Sequence, residues 1–186
     1  MSKPLSEMSL EELWHLFPIQ LTEHQAYWKN WYQTEKGQLL PILLQTVKIH
    51  HIGSTSINGI WAKPIVDVLI EINSSDFDAV KSMLLHNGYI CMAQTKTRID
   101  FNKGYTPNGF ADKVFHLHLR RIGDNDELYF RDYLNEHPEI AKAYEKLKLS
   151  LWREFEYNRD GYTESKTAFV REYTQKAIMQ YGRLYG

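Results

Sequence analysis

His51-Ile52-Gly53-Ser54-Thr55-Ser56-Ile57-Asn58-Gly59-Ile60-Trp61-Ala62-Lys63-Pro64-Ile65-Val66-Asp67-Val68-Leu69-Ile70 reads as the end of one strand, a Gly-Ser turn, a short helix and a second strand. The second strand is Ile, Val and Leu apart from one carboxylate. An acid in such a strand is costly to bury without a partner, so Asp67 needs a reason. The Gly-Ser turn fourteen residues earlier offers one. Glycine lets a backbone approach a ligand closely. The N–H groups that open the following helix suit a phosphate. A carboxylate on the neighbouring strand suits the divalent metal that accompanies such a phosphate. Phosphate cradle plus metal carboxylate is the minimal kit for nucleotidyl or phosphoryl transfer.

Outward from this stretch, 186 residues suit one domain with one core. Residues 1–46 read as N-terminal helices, 47–122 as the sheet core and 123–186 as C-terminal helices. An apolar content of 43% and five Trp supply core material. The net charge of −1 argues against nucleic acid as the partner, because a phosphate-backbone binder shows a basic stripe. A small molecule is the expected partner. One cysteine, Cys91, precludes an internal disulfide. Its apolar surroundings suit a buried, inert thiol. No apolar run approaches a membrane span and the first residues lack a signal-peptide core, so a cytoplasmic, soluble protein is expected.

Ser9 followed by Glu12 has the spacing of a capping box. A longer helix is expected over 22–45, kinked or divided at Pro41. Trp28, Trp31 and Tyr32 recur on it at helical spacing. They read as a core-facing stripe in preference to a base-stacking platform. Strands are expected at 47–52, 64–72, 89–93, 97–102 and 113–121, with a turn at 104–109. Helices are expected at 76–86, 127–135, 138–155 and 163–181. The strand at 113–121 alternates cleanly. Phe115, Leu117 and Leu119 take one face, and His116, His118 and Arg120 the other.

The candidate site follows from these placements. Gly53 and Ser54 would hold a terminal phosphate oxygen. Asp67 would bind the metal, with an ion pair to Lys63 as the competing reading. Two histidines at i and i+2 on a strand can share a metal, or one can serve as base while the other orients phosphate. Lys63 and Arg120 are candidate phosphate contacts, with Arg98 and Lys166 behind them. Glu71, at the strand end, is expected to be solvated. His50 and His51 read as structural.

The run from His51 to Asp67 resembles the GrpB family, whose signature looks like H-I-G-S-T-[AS]-x-x-G-x-x-[AS]-K-P-x-x-D. That resemblance implies the nucleotidyltransferase fold: a mixed α/β (α+β) sheet flanked by helices, with a helical C-terminal part. The broader superfamily pattern is Gly-Ser, a spacer of about ten residues, then Asp-x-Asp or Asp-x-Glu. Here Gly53, Ser54 and Asp67 match, but the second carboxylate position holds Leu69. The resemblance implies an enzyme transferring a nucleotidyl group from a nucleoside triphosphate to a hydroxyl acceptor. Asp67 would bind Mg or Mn. His116 and His118, as catalytic and metal-binding residues, would allow Zn, since imidazole is a poor Mg ligand. The rival reading is an inactive nucleotide- or anion-binding accessory domain. Fusion of some family relatives to a dephospho-coenzyme A kinase points that reading toward coenzyme A metabolism.

Overall fold

The computed structural model describes residues 3–43 and 47–185. Its centre is a five-stranded mixed sheet in the order β1-β2-β5-β4-β3. The strands are β1 (Lys48–Ile52), β2 (Ile65–Ile72), β3 (Ile90–Gln94), β4 (Arg98–Thr106) and β5 (Gly109–Arg121). β2 and β5 run parallel, and every other neighbouring pair is antiparallel. The helices are α1 (Leu10–Leu16), α2 (Tyr27–Leu39), α3 (Phe77–His86), α4 (Asp126–Glu136), α5 (Pro138–Phe155), α6 (Arg159–Glu164) and α7 (Thr167–Tyr181). This is the mixed sheet with flanking helices that the sequence implies. No helix among the described residues is long and apolar enough to cross a membrane.

The period-2 pattern of β2 and β5 gives the sheet two unlike faces. Val66, Val68 and Ile70 join Phe115, Leu117 and Leu119 on one face. They pack with Trp28, Tyr32 and Leu39 of α2 and with Val80 and Leu84 of α3. Trp28 is fully buried in that cluster, so the aromatic run on α2 is core. The opposite face carries Asp67, His116 and His118. A second cluster ties the segment after the Gly-Ser turn to the C-terminal helices. Ile57 and Ile60 pack on Phe130 and Leu134 of α4 and on Ala141 and Tyr144 of α5.

Several expectations are corrected. The helix expected over 22–45 is helical only at Tyr27–Leu39. Thr22 instead pairs with Ala62 in an isolated bridge, and positions 44–45 lie outside the described residues. The turn expected at 104–109 shrinks to its last residues, because β4 runs on through Thr106 and β5 starts at Gly109. Gly104 sits within β4 at φ +90°, where the register shifts. A glycine takes that backbone without strain and marks a bulge. The expected helix 163–181 is two helices, broken between Glu164 and Thr167. Asn158 caps the first of them, accepting from the Gly161 N–H at 2.9 Å. A Cβ at Gly161 would lie 2.7 Å from the Phe155 ring, so the tight corner between α5 and α6 depends on that glycine. Cys91 is half-buried against the core edge. The capping box forms as expected, with Glu12 N–H donating to Ser9 Oγ and Ser9 N–H to Glu12 Oε2.

Candidate functional site

Asp67 lies at the middle of the sheet. It pairs with Ile52 on β1 and with His116 on β5. Gly53 follows Ile52 at φ +71°. A Cβ there would lie 2.8 Å from Asp67 Cγ, with Oδ2 closer still. The glycine is thus required twice over, by its backbone conformation and by the carboxylate packed against it. Ser54–Ser56 form a single 3-10 turn, held by Ser56 Oγ donating to the Gly53 carbonyl at 2.6 Å.

Both histidines approach the same atom of Asp67. His116 Nδ1 and His118 Nε2 each lie 3.3 Å from Oδ1. The partners of the second ring nitrogens fix the protonation. His116 Nε2 lies 3.2 Å from Arg159 Nη2 and 2.8 Å from the Tyr105 hydroxyl. Arginine can only donate, so Nε2 accepts and Nδ1–H donates to Asp67. Burial, reinforced by Arg159 and Lys63, pushes His116 down to about 4 despite Asp67. It is a neutral imidazole. His118 Nδ1 faces Asp100 Oδ1 at 2.9 Å, so both its nitrogens meet carboxylates. Burial, and the Arg120 guanidinium whose Nη2 lies 3.2 Å from the same Nδ1, lower its value, but Asp100 and Asp67 outweigh them and bring it to about 9. It is an imidazolium. Burial alone would raise Asp67; hydrogen bonds from His116 and His118 hold it well below the carboxylate range.

Gly53, Ser54, Lys63, Asp67, Arg98, His116, His118, Arg120 and Lys166 all line one cavity of about 770 Å³. The structure therefore brings together every candidate residue except Glu71, which is corrected. Glu71 is buried at 1% exposure, accepting from Gly123 N–H and Asn125 Nδ2 and meeting His50 Nε2 at 3.2 Å. Its strand end is covered by the loop before α4. Arg120 donates to Asp100 and to the carbonyls of Ile99 and Leu119. Arg98 is paired with Asp124 at the surface. Both are already engaged by protein acceptors.

Three cavity residues escaped the sequence reading. Lys148 of α5 is buried at 2% exposure and donates to the Trp61 carbonyl. Arg159 opens α6. Tyr162 is fully buried, and its hydroxyl has no hydrogen-bond partner among the described residues. Lys63 and Lys166 lie 5.4 Å and 4.2 Å from the Tyr162 ring centre, and Lys148 lies 4.9 Å from that of Tyr144. Among the described residues, no carboxylate is within ion-pair distance of Lys63, Lys148, Lys166 or Arg159. The pair read between Lys63 and Asp67 is not made. Loss of hydration, followed by repulsion from Lys166, lowers both Lys63 and Lys148 to about 7. Burial lowers Lys166 to about 8, although Asp67 opposes it.

The donor set decides what metal it fits. Mg is held by several oxygens, but only Asp67 comes from the motif, because Leu69 stands at the second position. The trio Asp67, His116 and His118 has the donor chemistry of Mn or Zn. Its donors, however, are turned on one another. Among the described residues no three His, Cys, Asp or Glu side chains are placed to hold a metal ion. As they stand, the residues do not fit the implied metal.

Residues 18–176 match the family described as GrpB protein. The chain is 33% identical over 161 residues to the glutamate-rich protein GrpB of Alkalihalophilus pseudofirmus, covering 82% of this chain and 91% of that one. It is 31% identical over 179 residues to the UPF0157 protein YqkA of Bacillus subtilis, covering 90% of this chain and 50% of YqkA. The chain thus spans about half the length of YqkA. The crystal structure of the conserved protein GrpB from Enterococcus faecalis is similar at a TM-score of 0.76 and 30% identity, over 87% of this chain and 99% of that one. A more distant likeness, at 12% identity and a TM-score of 0.54, is to the GLD-2/RNP-8 complex, over 96% of this chain and 73% of that one. It shows a shared fold alone. The family match extends across the sheet, the Gly-Ser turn and the cavity, and the chain belongs to the GrpB protein family.

Proposed function

We propose that this chain binds a nucleoside triphosphate in the cavity beside Asp67. One observation carries the reading: four cations, Lys63, Lys148, Lys166 and Arg159, share the cavity without a carboxylate partner among the described residues. Lys148 is buried and the other three are half-buried, and cations withdrawn from water without counter-charge are costly. A phosphate chain supplies that charge. The Gly53–Ser54 turn offers the close backbone approach such a ligand needs. Tyr144 and Phe130 give the cavity an apolar wall, which suits a base or another flat group. Thermal unfolding with ATP, GTP, CTP and UTP tests the reading. At about one hundred times Kd, linkage predicts roughly 2.7 kcal/mol of added stability. For a chain of this size that is a rise of roughly 5–10 °C. No shift with any of the four at millimolar concentration would count against nucleotide binding.

A second reading is transfer of the nucleotidyl group to a small hydroxyl acceptor. The neutral His116 favours it, since an imidazole lowered to about 4 remains unprotonated at neutral pH. An unprotonated imidazole can accept a proton from a hydroxyl. Its Nε2, now held by Tyr105 and Arg159, would have to be yielded to the acceptor. Pyrophosphate release from a bound triphosphate, with and without added Mn or Zn, separates transfer from binding alone.

A further inference from the structure

The place of a second metal carboxylate is filled with hydrocarbon. Leu69 is fully buried and packs with Ile52 and Leu128, with Tyr185 against them. Asp67 Oδ1 is taken by two imidazoles, and Asp100 faces His118 and Arg120. In the same cavity stand two ammonium groups over the Tyr162 ring, a third that is 2% exposed, and Arg159. The Tyr162 hydroxyl, buried and without a partner among the described residues, adds a donor.

We propose that Lys63, Lys148, Lys166 and Arg159 take the place of the divalent metal, so that the cavity grips a bare polyphosphate with no ion between phosphate and protein. The inference deepens the nucleotide reading and rests on it for the nucleoside part of the ligand. The physical argument concerns lost hydration. An ammonium group is strongly hydrated in water. Packed on an aromatic face inside a cavity it recovers only part of that. Phosphate oxygens restore the rest, and in a cavity of low dielectric each contact is stronger than at a surface. Asp67 then has the opposite role from a metal ligand. It orders His116 and His118, and its negative charge opposes the phosphate.

That reversal gives the test. Isothermal titration of the full chain would use three ligands: ATP with Mg, ATP with EDTA, and inorganic tripolyphosphate with EDTA. The expected result is that ATP binds in EDTA at least as tightly as with Mg, and that tripolyphosphate competes with it. Lys166→Gln, checked for folding by circular dichroism, weakens binding in EDTA by about tenfold or more. Asp67→Asn tightens it. ATP binding only with Mg, and lost in Asp67→Asn, overturns the inference while leaving the nucleotide reading intact. Tripolyphosphate binding without metal, with no triphosphate nucleotide binding, overturns the nucleotide reading and leaves the inference. Failure of all three ligands overturns both.

Discussion

At the scale of single residues, Gly53 and His118 set the geometry and the charge of the cavity. Gly53 and Gly59 both take a left-handed backbone, at φ +71° and +70°. A Cβ at Gly59 meets nothing, whereas one at Gly53 meets the Asp67 carboxylate. Both alanine variants therefore incur the backbone strain, roughly 1–3 kcal/mol. Only Gly53→Ala also displaces Asp67. Nucleotide-induced stabilisation is expected to persist in Gly59→Ala and to fall sharply in Gly53→Ala. Equal loss in the two would show that Gly53 serves the backbone only. His118 lends itself to a pH experiment. Its folded value of about 9 exceeds the unfolded value of roughly 6.5. The stability it contributes is complete below the lower value and is lost as pH rises through the upper one. The difference in unfolding free energy between wild type and His118→Asn should be largest near pH 6, on the order of 2 kcal/mol, and shrink toward pH 10. Urea unfolding across that range measures it. A difference independent of pH would mean that His118 is not an imidazolium.

At the scale of elements, what was legible followed from period and punctuation. The alternation of β5 named the buried and cavity faces residue by residue, because a strand's side chains have no third direction. The Gly-Ser turn and Asp67 fell together because the strands they end and occupy are neighbours. Other features depended on contacts distant in sequence. Glu71 is covered by Gly123 and Asn125, 52 and 54 residues away in the chain. The corner between α5 and α6 depends on Gly161 packing against Phe155. Lys148 had a local signal that went unread: it continues the buried stripe Ala141, Tyr144, Leu151 on α5. A lysine at a core position of an amphipathic helix marks a buried charge. Arg159 carried no such signal. Leu69 depends on a distant contact in the same way, being sealed by Leu128 of α4. Leu69→Asp restores the carboxylate spacing of the wider superfamily, yet it puts an unpaired charge against Ile52 and Leu128. It should destabilise by roughly 3–5 kcal/mol, measured by urea unfolding. It should not create Mg-dependent nucleotide binding. A stable variant that gains Mg dependence would show that the hydrocarbon seal is adjustable.

At the scale of the whole molecule, the near-zero net charge hid the feature that matters most. Acids and bases balance along the sequence, but the fold gathers bases into the cavity and spends many acids on surface and loop pairs. Under the proposed nucleotide reading, such a molecule trades stability for binding. Lys63 makes the trade measurable. Its folded value, about 7, lies below the unfolded value of roughly 10.4. A lysine depressed in this way costs stability. The cost is absent above the unfolded value, grows as pH falls, and is complete below about 7. Lys63→Met keeps most of the side-chain volume and removes the charge. In buffer free of polyanions its Tm should exceed that of wild type by roughly 3–6 °C at neutral pH, with a smaller gain at about pH 10. Added tripolyphosphate should reverse the order, because wild type gains a ligand that the variant holds weakly. Differential scanning at both pH values, with and without tripolyphosphate, follows all four conditions. A variant less stable than wild type under every one of them would make Lys63 a structural residue and remove it from the anion site.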